Sequence, residues 1–78
     1  MNKATQRQLI RDYIDKHGSI TNRQAYTELM INSPTARISE MVRSGEPIHK
    51  EKVPYIKADG TASHYMRYSW EIESNGTR

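Results

Sequence analysis

The sequence predicts an α+β domain in which three short helices precede two extended strands, and three observations carry that prediction. Apolar residues recur at helical spacing up to Gly45 and alternate after it. Thr5, Thr21 and Ser33 stand where helices would begin, and each threonine has a glutamine three residues on. Asp59-Gly60 then divides the extended half with a turn signal.

The first helix is expected over residues 5–17, with Thr5 and Gln8 forming a capping box. Leu9, Ile10, Tyr13 and Ile14 make its apolar face, Lys16 and His17 suit the negative end of its dipole, and Gly18 suits a left-handed cap. The second helix, residues 22–29, opens on the capping box of Thr21 and Gln24, with Ile20 as a hydrophobic staple. Ala25 and Leu29 face inward and Tyr26 covers the edge of the core. Met30-Ile31-Asn32 is long enough only for a tight turn. Ser33 then caps the third helix, Pro34 takes the first helical position, and Ile38, Met41 and Val42 supply the buried stripe up to Gly45. Two short, separately capped helices joined by so few residues have helix-turn-helix spacing.

Residues 48–53 and 55–57 read as extended, with Pro54 tolerable on an edge strand or at a bulge. On the return strand His64, Met66, Tyr68, Trp70 and Ile72 share one face, and Tyr65, Arg67, Ser69 and Glu71 the other. Tyr68, Trp70 and Ile72 close the core against the first and third helices. A hairpin directly after a helix-turn-helix is a wing, so the expected architecture is a winged helix-turn-helix with a two-stranded β-hairpin wing. Residues 1–73 form the domain and residues 74–78 a polar tail.

Composition narrows the function. A chain of 78 residues makes one small domain, and with no cysteine it holds neither a disulfide nor a thiolate metal site. His17, His49 and His64 have no partner at metal-ligand spacing, and no phosphate loop or nucleophile–base pair occurs, so neither cofactor nor enzymatic activity is expected. No apolar run follows the first charges or approaches the roughly 20 residues a bilayer requires, so the expected location is the cytoplasm, without membrane contact. There the sequon at Asn75 carries no meaning. The formal charge of +3, from 12 basic and 9 acidic residues, is compatible with an acidic partner.

From Gln8 to about Val53 the chain resembles a family of small helix-turn-helix domains found in bacteriophages and prophages. The residues that carry the resemblance are Leu9-Ile10, Tyr13-Ile14, His17-Gly18-Ser19-Ile20-Thr21, Ala25, Leu29, Ile31, Ala36-Arg37-Ile38, Gly45 and Pro47-Ile48. The resemblance implies a winged-helix fold, a DNA-binding role and no catalytic residues. Pro34 and Thr35 depart from the larger apolar or basic residues such domains often carry there.

With Ile38 at the centre of the buried side, steps of about 100° put Ser33, Ala36, Arg37, Glu40, Arg43 and Ser44 on the outward side of the third helix, flanked by Asn32 and Ser39. The expected duplex-DNA contacts are therefore Asn32, Ser33, Ala36, Arg37, Glu40 and Arg43, with Arg37 first, as a guanine or phosphate donor. The alternative for Arg37 is that it pairs locally with Glu40 or with an acidic residue of another helix. Glu40 repels phosphate unless it accepts from cytosine or neutralises Arg37 or Arg43. The wing adds Lys50, Lys52, Lys57 and Arg67. Residues 33–70 hold six basic and four acidic side chains, so +2 of the total charge lies on that half. Lys3, Arg7, Arg11 and Arg23 form a second basic group, read mainly as solvated helix surface. A domain this small gains specificity by acting as a homodimer or in tandem. The alternative is a protein-binding winged helix, an inhibitor or adaptor, using an exposed apolar patch such as Tyr26 with Met30, or Val53 with Tyr55 and Ile56.

Overall fold

The computed structural model describes residues 2–71, so the expectations for Ile72, the Asn75 sequon and the tail fall outside it. The elements run α1 (Lys3–His17), β1 (Ile20–Thr21), α2 (Asn22–Leu29), α3 (Pro34–Arg43), β2 (Ile48–Ile56) and β3 (Ala62–Trp70).

α1 begins earlier than expected because Asn2, not Thr5, is its cap. Asn2 Oδ1 accepts from Thr5 N at 2.7 Å and Asn2 O accepts from Gln6 N at 3.0 Å, which places Thr5 inside the first turn. At the other end Gly18 takes φ 89°, and its N–H closes on Ile14 O at 2.7 Å. α2 carries the full capping box. Gln24 N donates to Thr21 Oγ1 at 3.1 Å, and Thr21 N donates to Gln24 Oε1 at 2.9 Å. Met30 ends α2 in the left-handed region at φ 60°, turning the chain so that Ile31 enters the core. Ser33 occupies the cap position of α3 but makes no side-chain cap bond, and Pro34 supplies the preset φ of the first turn.

The sheet has three antiparallel strands in the order β1-β3-β2, not the two of the expected hairpin. Thr21 explains the addition. As an N-cap its backbone is extended (φ −105°, ψ 163°), so the chain entering α2 is already in strand conformation. It lies along β3, with Ile20 opposite Tyr68 and Thr21 opposite Arg67. β2 is continuous through Pro54, which faces His64. Lys57 N donates to Thr61 O at 2.9 Å, and the alternation of paired positions then turns the nitrogen of Pro54 to the open edge, where no donor is needed.

Ile10, Ile14, Ile20, Ala25, Ile31, Ile38, Met41, Ile48 and Tyr68 form the core, with Tyr13, Leu29, Met66 and Trp70 against it. Tyr68 and Trp70 thus close the helices as the alternation predicts. Trp70 Nε1 also donates to Asp15 Oδ1 at 2.7 Å, tying the end of β3 to α1. Two expectations fail. Tyr26 is 58% exposed and covers no core edge, and Val42 is 40% exposed, its place in the buried stripe of α3 taken by Arg37.

Candidate nucleic-acid interface

The rotation of α3 decides which of its residues a groove could meet. A wheel drawn about Ile38 alone buries Val42 and exposes Arg37. In the folded chain Arg37, Ile38 and Met41 are buried, with Pro34 half-buried beside them. The buried side is therefore centred about 50° further toward Arg37. α1 sets that angle. Arg7 Nη1 donates to Glu40 Oε1 at 2.7 Å, Arg37 Nη2 donates to Glu40 Oε2 at 2.9 Å, and Arg11 grips Glu46 through Nε and Nη2 at 2.7 and 2.6 Å. Arg7 and Arg11, one helical turn apart on α1, hold Glu40 of α3 and Glu46 beyond its end from one side. They are structural clamps rather than solvated surface.

Arg37 is thus the main correction. It is 9% exposed and faces inward, with its Nε buried and unpartnered. Glu40 is half-buried and held by two arginines, so it is not a free carboxylate on the outward face. Burial pushes its carboxyl up, but the Arg7 hydrogen bond and the charges of Arg37, Arg7 and Lys3 outweigh that and hold it below the usual range. Glu46 is lowered by its Arg11 hydrogen bond, against a smaller opposing effect of burial.

The remaining expected residues divide into two groups. Asn32, Ser33, Ala36 and Arg43 are exposed along the outward side of α3 and its entry turn, and Lys50, Lys52 and Lys57 are exposed on the wing. Lys50 lies opposite Tyr68 and Lys52 opposite Met66, so both stand on the sheet face that carries the helices. Arg67 lies on the other face, where its Nη2 donates to Glu51 Oε1 at 2.6 Å across the hairpin. The geometry adds three side chains that sequence reasoning set aside: Thr35 and Val42, both exposed, and Ser39 between them. Weighting Met41 equally with Ile38 would have moved the wheel part of the way; the rest comes from α1.

These pairings sort the charge. Glu40, Glu46 and Glu51 are each held by arginine, and the Asp59 carboxylate accepts from Thr61. Among the described residues Arg43 on α3 and Lys50, Lys52 and Lys57 on the wing have no ion-pair partner, as do Lys3, Lys16 and Arg23 on α1 and α2. No group of three His, Asp or Glu side chains among the described residues gathers as a metal would require, and no helix there is long and apolar enough to cross a membrane. The chain has no match among curated proteins or solved structures. A family model described as a winged helix-turn-helix domain does match, over residues 5–71. That span takes in α1 from Thr5 on, α2, α3, the helix-entry strand and the hairpin, and the chain belongs to the winged helix-turn-helix domain family.

Proposed function

We propose that this domain binds duplex DNA, with α3 in the major groove and Lys50, Lys52 and Lys57 on flanking phosphates, as a phage or prophage transcriptional regulator or accessory factor. The observation that carries the reading is the charge sorting. Glu40 on α3, Glu46 beyond its end and Glu51 on the wing are each paired with arginine, while Arg43 of α3 and the wing lysines Lys50, Lys52 and Lys57 are exposed without an ion-pair partner and open to an external anion. The outward side of α3 is also built of small side chains, which lets a helix seat in a groove about 12 Å wide. One α3 covers one half-site, so a specific operator takes two copies.

The test is anisotropy with a labelled random duplex at about 50 and 200 mM salt. Four phosphate contacts give a loss of roughly a hundredfold across that range. A second reading, capture of a protein partner, draws on Tyr26 and Met30, which are 58% and 74% exposed one turn apart at the end of α2. Absence of duplex binding at low salt and tens of micromolar protein would favour it.

A further inference from the structure

We infer that the recognition face of α3 selects A·T base pairs, by contact with thymine methyl groups and adenine edges. The inference rests on the reading of α3 as the groove helix and gives that reading a sequence class.

Guanine is read in the major groove chiefly by arginine or lysine reaching O6 and N7, and cytosine by a carboxylate accepting from N4. α3 carries two arginines and one carboxylate, and the fold withdraws two of these three groups from the groove. Arg37 is 9% exposed and committed to Glu40, and Glu40 is committed to Arg37 and Arg7. Arg43 remains, but in the last turn. A helix that docks by its N-terminal residues places that end nearer the backbone than the base edges.

What faces outward instead is Thr35, Ala36, Ser39 and Val42. Steps of about 100° put these four within a sector about 120° wide, with Arg43 at its C-terminal end. Thr35 and Ala36, both exposed in the first turn of α3, present methyl groups, the surface that meets a thymine C5-methyl, while Val42 lies with Arg43 in the last turn. Asn32, exposed in the entry turn, is the residue type that pairs with adenine N6 and N7. The hydroxyls of Thr35 and Ser39 discriminate little. The face therefore offers donors and methyl contacts for A·T pairs, and no free group for G·C pairs before the final turn.

The experiment is selection from a random duplex pool with the whole chain, followed by replacement of each thymine in the selected site with deoxyuridine. The expected consensus holds consecutive A·T pairs. Uracil at the contacted positions lowers affinity roughly fourfold for each methyl removed, with random-duplex binding and its salt dependence unchanged. Thr35→Ser, which keeps the hydroxyl and removes the exposed methyl, abolishes the uracil effect at one thymine. A consensus with guanine at its centre overturns the inference. So does an A·T-rich consensus indifferent to uracil, which would place the readout in the minor groove. Either result leaves duplex binding standing, whereas no binding at about 50 mM salt overturns both readings at once.

Discussion

Arg37 and Glu40 meet on the inner flank of α3, Nη2 to Oε2 at 2.9 Å, and Glu40 is shared with Arg7 of α1. The pair fixes which side of α3 is outward, so Arg37 stabilises the fold and Arg43 is left to meet a ligand. Arg37→Ala is expected to lower stability by about 2 kcal/mol, or roughly 10 °C in Tm, through lost packing of its stem and an unbalanced pair. Arg43→Ala is expected to shift Tm by no more than a few degrees and to weaken duplex binding severalfold. Thermal melts and anisotropy on the two variants check this; the opposite pattern would put Arg37 on the DNA.

Lys50 and Lys52 stand on the helix-bearing face of the edge strand, without acidic partners among the described residues. Replacing both with alanine is expected to reduce the slope of log affinity against log salt by about 2, with little change in Tm. Arg67→Ala serves as the control, since its guanidinium is engaged by Glu51 on the other face and the slope should hold.

Acid should loosen the junction of α1 and α3. The Glu40 and Glu46 carboxyls are held below their ordinary values in the folded chain. The folded state then binds fewer protons than the unfolded one near the unfolded pKa. Their contribution is fully present above about pH 4.3 and is lost as pH falls through the lower folded values. Tm is expected to drop between about pH 5 and pH 3, and Glu40→Gln with Glu46→Gln should flatten that drop while lowering Tm at neutral pH.

Met30 holds φ 60° with its side chain 74% exposed, a left-handed position occupied by a residue that gains nothing from burial. Met30→Gly is expected to raise stability by about 0.5–1 kcal/mol, the relieved backbone strain exceeding the added freedom of the unfolded chain. A chemical denaturation midpoint reads this directly. At Gly45, with φ 89° and open space where a Cβ would stand, alanine is expected to cost about 1 kcal/mol by strain alone.

Local chemistry written in the sequence determined most of the fold. The Thr21–Gln24 box, the Gly18 and Gly45 terminators, Pro34 and the Asp59-Gly60 turn each act within four residues of themselves, so helix order, the turn and the hairpin could be read from spacing. The exposed cations Arg43, Lys50, Lys52 and Lys57 were legible for the same reason. Tertiary structure decided the rest. The Arg37–Glu40 pair is local, but the rotation of α3 and the burial of Arg37 arise where α1 packs and Arg7, 33 residues from Glu40 in the chain, joins that pair. The third strand depends on β3, whose Tyr68 closes over Ile20. A helical wheel weighs a residue by its own polarity, and arginine reads as exposed. Where α1 packs over that flank, Glu40 three residues on keeps the Arg37 charge paired as it is buried, and Arg7 gives the same carboxylate a second partner from α1.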